Sequence, residues 1–294
     1  MNKILNNYHL LAGIHTISIR TPEPLLVPEP YQKVVTSVSH NNQENPIHTS
    51  KLNLNKMTTD IYSYSEFQKQ LKILLDSAGI TEYEIVRADL RFDMFKPGEY
   101  EQNAKLHRYL ISLLATCYQV KNAYKTTDLF SQKQLSVAIK NKYFECENYD
   151  KAAQSNGHDI AAGRLEIRSK CLRTTDLRTV FANAWFGRWE KALACKDKMI
   201  DKYNAELERI YKEGDETSQV KFRSLTDFLI QYKACIFNRK QMTDLIMRVD
   251  DTVRNPTKRV SNFKQKYGID FYTDTDIRCA VDEIKRATIQ YFNS

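Results

Sequence analysis

Within "YEIVRADLRFDMF", residues 83–95, apolar and polar positions alternate without a break from Val86 to Met94. Val86, Ala88, Leu90, Phe92 and Met94 fall on one side, and Arg87, Asp89, Arg91 and Asp93 on the other. A period of two predicts a strand over 85–94 with one apolar and one charged face. Two later stretches repeat the pattern. In "YFECENY" (143–149), Phe144 and Cys146 share one face, and Tyr143, Glu145, Glu147 and Tyr149 share the other if the strand, placed at 142–148, stays regular. In "GRLEIRSK" (163–170), Leu165 and Ile167 face inward while Arg164, Glu166 and Arg168 face out, which predicts a strand over 164–169. The connector between them is polar and contains Asn-Gly, a turn signal, so the pair reads as an antiparallel hairpin with a longish loop. A weaker alternation, "IHTISI", predicts a strand at 14–19.

Between these strands the period is helical. Residues 65–79 carry Phe67, Leu71, Leu74, Leu75 and Ala78 on one stripe, with Ser65 as the expected N-cap and Gly79 as the stop. A more apolar helix is predicted over 105–120. From residue 173 onward the helical period takes over. One long helix, or two broken near Gly187, leads into further helices at 216–237, 239–250, 257–266 and 274–292. Asp274 and Asp276 stand at the last start, where carboxylates suit exposed N–H groups. The predicted class is α+β: an antiparallel-sheet domain with packed helices over 1–172, then an all-helical domain over 173–294.

Composition fits this picture. The chain has 294 residues, 42% of them hydrophobic, enough for a sizeable core. Its net charge of +8 favours a polyanionic partner. The six cysteines stand singly, with no CxxC pair, so a zinc ribbon is not indicated and reduced thiols in a cytoplasmic protein are expected. The opening residues read neither as a signal peptide nor as a membrane span, and no membrane partner is expected.

The charged faces carry candidate chemistry. Asp89, Asp93 and Glu166 share one sheet face if their strands are neighbours, and hard oxygen ligands of this kind suit Mg2+ or Mn2+. Such an ion can neutralise charge on a phosphodiester. A tyrosine in the same region, Tyr149, can attack phosphorus and form a covalent link. Lys151, Arg164 and Arg91 could hold phosphates or stabilise the phenolate. On spacing alone a salt-bridged, solvated surface fits the alternation better, and with 17 tyrosines any one of them is most often packing.

The ordered set of motifs points further. Asp89-Leu90-Arg91-Phe92-Asp93, then Tyr149-Asp150-Lys151, then Arg164-Leu165-Glu166-Ile167 resembles rolling-circle replication initiators of the Rep_trans type, found on plasmids and mobile elements of low-GC Gram-positive bacteria. Order and spacing agree over roughly residues 50–172, and "KLNLNKMT" (51–58) is similar to a strand that precedes the family's first helix. Two positions depart from the pattern: Asp150 stands where the family has Asn, and Gln154 where it has a carboxylate. The family lacks a paired-His metal motif, and no H-x-H occurs here.

The resemblance implies a site-specific nickase that forms a 5′-phosphotyrosine on Tyr149 and leaves a 3′-OH primer. Lys151 and Arg164 would assist, and Asp89, Asp93 and Glu166 would hold the metal. It also implies origin DNA as partner, with a host helicase and a second copy of the chain as further candidates. A relaxase of a conjugative element would use the same chemistry. A non-catalytic DNA-binding regulator on the same scaffold is the rival of another class. A small-molecule enzyme finds no Gly-rich phosphate loop in its favour. In the helical part, "NPTKRVSNFKQKYG" suits phosphate contacts, and a helix-turn-helix over 238–266 fits the pattern without being required by it.

Overall fold

The computed structural model describes residues 9–40, 47–58, 61–95, 97–118, 136–156, 161–181, 185–212, 238–249, 253–267 and 271–294. Seven strands form one antiparallel sheet: β1 (Leu11–Thr21), β2 (Val35–His40), β3 (His48–Leu52), β4 (Glu84–Met94), β5 (Ser136–Lys140), β6 (Phe144–Asp150) and β7 (Gly163–Thr174). Their order across the sheet is β2-β3-β1-β4-β7-β6-β5. Among the described residues the helices are α1 (Tyr64–Ser77), α2 (Pro97–Cys117), α3 (Lys151–Gln154), α4 (Trp185–Lys212), α5 (Arg239–Val249), α6 (Pro256–Tyr267) and α7 (Asp274–Phe292). The chain is therefore a mixture of helices and antiparallel sheet, as the class α+β requires.

The three charged strands come together at the middle of the sheet. β4 is flanked by β1 and β7, and β7 by β6. Opposite residues in an antiparallel ladder point to the same face. Leu90 pairs with Ile167 and with Ile14, Phe92 with Leu165, and Cys146 with Ile167. This apolar face packs against α2, whose Leu106, Leu110, Leu113 and Leu114 are buried. It continues at Phe144, whose ring meets that of Trp185 at the start of α4, while Trp185 Nε1 donates to Ser169 Oγ at 2.7 Å.

Several expectations shift by a few residues, each for a local reason. A bulge between Ile85 and Arg87 takes Val86 out of the inward row and puts Ile85 there instead. α1 starts earlier than expected, because Ser63 is the N-cap and its Oγ accepts from Glu66 N. Gly79 does end it, at φ 69°, a value that favours glycine. The last helix matches its predicted span, but Thr273 caps it, in a reciprocal box with Asp276. Residues 51–58 hold only the end of β3 and then a 3-10 turn at Leu54–Lys56. α4 runs through Gly187 without a break, the tertiary packing of Trp185, Phe186 and Trp189 outweighing the glycine's low helix propensity. The helix expected over 216–237 lies outside the described residues.

Residue 172, where the sequence reading set its boundary, falls inside β7. Leu177, Phe181, Trp185, Ile277 and Ile284 belong to the same cluster of buried apolar side chains as Leu165 and Ile167. α7 packs on β1 and on α1, with Tyr64 edge-on to Phe292 at 4.7 Å between ring centres. Among the described residues no helix is long and apolar enough to cross a membrane.

Candidate active site

The charged face is assembled by strand register. Asp89 pairs with Arg168, Arg91 with Glu166, and Asp93 with Arg164 across β4 and β7. Across β7 and β6, Arg168 pairs with Glu145, Glu166 with Glu147, and Arg164 with Tyr149. The convergence predicted for Tyr149, Arg164, Glu166, Asp89 and Asp93 is therefore present. The expected wet face is not. Asp89, Arg91, Asp93, Arg164, Glu166 and Tyr149 are each no more than 4% exposed. Arg87, Arg168, Glu145, Glu147 and Lys170 surround them at intermediate exposure.

Part of the cover comes from residues 53–58 and 61–62, which lie over this face as a strap. Asn55 ties it down: its Nδ2 donates to Ile14 O at 3.0 Å and to His15 O at 3.3 Å. Its Oδ1 accepts from Ile61 N at 3.0 Å and from Arg91 Nη2 at 3.2 Å. Tyr62 then lies over the Arg91 guanidinium at 4.9 Å and donates its hydroxyl to Asp93 Oδ2 at 2.9 Å. The strap passes so close to β1 that a Cβ on Gly13 would stand 2.6 Å from Ile61 O and 3.3 Å from Arg91 Nε. Glycine is required there by the close approach.

Every carboxylate oxygen of the predicted metal ligands has a donor. Arg87 grips Asp89 with Nε on Oδ1 and Nη2 on Oδ2, both at 2.8 Å. Arg164 grips Asp93 the same way, Nε on Oδ1 and Nη2 on Oδ2, the latter at 3.1 Å. Glu166 Oε1 accepts from Arg168 Nε at 3.2 Å and lies 3.4 Å from His15 Nδ1, while Glu166 Oε2 accepts from the Tyr149 hydroxyl at 3.1 Å. Arg164, the partner of Tyr149 in the ladder, sets a positive charge near its hydroxyl. Five carboxylates and five cations thus meet in two neighbouring sets: Arg87, Arg168 and Lys170 with Asp89, Glu145, Glu147 and Glu166, and Arg91 and Arg164 with Asp93.

The electrostatics follow from burial and pairing. Burial opposes ionisation of Glu166, but His15 and Arg168 outweigh it and hold the carboxyl below the usual range. Burial pushes the Asp89 carboxyl up, against the pull of Arg87. Burial and the neighbouring Glu166 push the Tyr149 phenol well above its ordinary value, with Arg164 opposing. The hydrogen bond between them therefore runs from a neutral phenol to an ionised carboxylate.

Two expectations change at this site. Tyr149 is the last residue but one of β6, and its side chain is buried rather than open to a DNA strand. Tyr143 precedes β6 in a bend and is 58% exposed, so it is not part of the strand row that holds Tyr149. Lys151 opens α3 and its Nζ stands 3.5 Å from Gln154 Oε1. Asp150, the residue departing from the family's Asn, caps α3 by accepting from Ala153 N at 2.8 Å. His15 was passed over in the sequence as one of six scattered histidines. A bulge between Ile14 and Thr16 brings it to Glu166, and the only trace in the sequence is a polar residue inside an apolar strand.

The residues present do not fit the expected divalent ion in this arrangement. The six oxygens of Asp89, Asp93 and Glu166 are taken up by arginine, tyrosine and histidine donors, and their charge is balanced by arginines. Among the described residues no group of three or more His, Cys, Asp or Glu side chains is placed to hold a metal ion.

Away from this face, α2, α5, α6 and the segment before α7 enclose a cleft of about 510 Å³. Lys105, Arg239 and Lys264 line it together with Val260, Ser261 and Phe271. Arg239 is oriented by Ser261, whose Oγ accepts from Nη2 at 3.0 Å. Three cations and an aromatic ring suit a phosphate-bearing ligand.

No protein-family model matches this chain, and no curated protein matches it either.

Proposed function

We propose that the protein is a rolling-circle replication initiator that nicks one DNA strand through Tyr149. One observation carries this reading. The Tyr149 hydroxyl lies between a carboxylate, Glu166, and a guanidinium, Arg164, on the face where the three motifs converge. This is the pairing a tyrosine nucleophile needs: an acceptor for its proton and a fixed positive charge beside the oxygen. The phenol oxygen bonds to phosphorus, the P–O3′ bond breaks, the phenolic proton passes to Glu166, and the departing 3′ oxygen takes up a proton from water. The products are a 5′-phosphotyrosine and a 3′-OH primer. No step here is routed through a metal ion.

The charged face is neutral overall, so it offers a polyanion no net attraction. The chain's excess positive charge lies elsewhere, and the cleft of Lys105, Arg239 and Lys264 is one place for it. The helical segment that follows β7 takes the part of DNA recognition or oligomerisation, with host helicase and conjugative transfer as extensions of the same chemistry. A second reading has its own observation. Tyr149 is buried and every carboxylate oxygen of Asp89, Asp93 and Glu166 is occupied, which favours a DNA-binding regulator that keeps the scaffold without the reaction.

The two readings separate in one experiment. The protein is incubated with supercoiled DNA carrying its own element's origin, and protein-linked nicked circles are sought. The initiator forms an adduct that maps to Tyr149 and disappears in Tyr149→Phe but survives Tyr143→Phe. An adduct on another residue, or none, sinks the assignment.

A further inference from the structure

We infer that the guanidinium of Arg168 is the resident cation between Asp89 and Glu166, two of the three carboxylates expected to hold a divalent ion, while Asp93 is held apart by Arg164 and Arg91. Four carboxylates converge on this one side chain. Nε is 3.2 Å from Glu166 Oε1 and 3.8 Å from Asp89 Oδ2, Nη2 is 2.7 Å from Glu147 Oε2, and Nη1 donates to Glu145 Oε1. The four carboxylates come from three neighbouring strands, β4, β6 and β7, so the sheet register itself builds the cage.

The chemistry of the two kinds of cation differs. A divalent ion gathers oxygens into a shell at about 2–2.6 Å. A guanidinium holds them further out, in one plane, through separate N–H donors. Arg168 spends each of its nitrogens on a different carboxylate, and Arg87 and Lys170 add two further cations to the same four carboxylates. A divalent ion entering the cage would have to displace a guanidinium from the middle of four acceptors, and the side chain has no other partner of comparable number. An arginine cannot be chelated, cannot exchange and is charged at every physiological pH. The site would then be independent of metal supply.

This inference concerns what fills the cage and goes beyond the nicking reading; only its last test rests on that reading. Mn2+ uptake by the full chain is measured without DNA, by the loss of the free-ion resonance signal. The wild-type protein should show no saturable binding at the site. Arg168→Gln leaves four carboxylates without their shared cation, and it should bind Mn2+ about tenfold or more tightly, since the fixed opposing charge is gone. Arg168→Lys keeps the charge and should gain much less. One saturable ion on wild type, lost in Glu166→Gln, overturns the inference. So does a folded Arg168→Gln protein with no gain. Should Arg168→Gln fail to fold, wild type and Arg168→Lys still decide it, because stoichiometric binding by either is the overturning result. In the nicking assay, adducts should form in excess chelator. Adducts that vanish with chelator and return with Mg2+ also overturn the inference, whereas the absence of adducts in every buffer counts against the nicking reading and leaves the Mn2+ titration to judge Arg168.

Discussion

The two faces of β4 are equally hidden and held in opposite ways. Ala88, Leu90, Phe92 and Met94 are at most 1% exposed on one side, and Asp89, Arg91 and Asp93 at most 2% on the other. Burial stabilises the first set directly, by about 1.5–3 kcal/mol for each large apolar side chain. For the second set, leaving water costs several kcal/mol per ion, and pairing only offsets it. The apolar face tolerates each neighbour's loss in proportion to the space left behind. The polar face depends on every partner being present, since any single removal strands a buried charge.

That contrast can be tested at adjacent residues. Asp93→Ala strips Arg164 and Arg91 of their shared acceptor and should cost about 3–5 kcal/mol in denaturant unfolding. Phe92→Ala should cost about the same through its cavity. The faces part company in the rescue: Asp93→Leu combined with Arg164→Met should recover part of the loss, since it removes one charge of each sign and leaves only Arg91 without its carboxylate. A double variant as unstable as Asp93→Ala alone would break the comparison.

Acid should act on the faces in two stages. On the apolar side His107 is fully buried beside Asn148 Oδ1, and burial pushes its imidazole down to about 4. A base lowered on folding gives stability that is complete above its unfolded value, near 6.5, and is lost as the pH falls towards the folded one. This loss should be on the order of 3 kcal/mol between about pH 6.5 and 4, and should be absent in His107→Gln. On the polar side Glu166 is an acid held below its usual range, so its contribution is present above about pH 4.3 and falls away only below that. Glu166→Gln should flatten this second stage and leave the first. Asp89 works against it: its carboxyl is raised by burial, so falling pH relieves a penalty there. Stability measured from pH 7 to 3 in the three proteins resolves the stages, and a single step unaffected by either substitution would refute the division.

The smallest effect on stability belongs to Tyr149→Phe. It removes one hydrogen bond to Glu166 and should cost about 1 kcal/mol. Its effect on the adduct should nevertheless be complete. A loss of several kcal/mol would mark Tyr149 as a structural member of the network like Asp93.

The sequence made the rows of this sheet legible and hid what lies over them. Period two is enough to sort Leu90 from Arg91 and Leu165 from Glu166, and the antiparallel pairing follows from the hairpin. Alternating charge reads as a solvated face because most such faces are. What covers this one comes from a distant segment: Asn55 and Tyr62 carry no local sign that they will reach Arg91 and Asp93. Bulges defeat parity in the same way, removing Val86 from the core row and delivering His15 to Glu166. β2 and β5, at six and five residues, lie at the two edges of the sheet and escaped notice. The helical run after β7 was legible in its periods, yet nothing in those periods showed that α7 returns to pack on β1.

Gly13 sets the clearance between strap and sheet. Its φ does not fall in the left-handed range, where only Gly79 lies among the described glycines, so the constraint at position 13 is room and not torsion. Its partner in the ladder is Arg91, so a methyl group at 13 would act as a wedge under Ile61 and Tyr62, with the strand itself held in register. The strap would be pried away first, taking the Tyr62 hydroxyl from Asp93 and the ring from the Arg91 guanidinium. One carbon atom is thus enough to unroof the array and let water into it while every charge keeps its place in the chain.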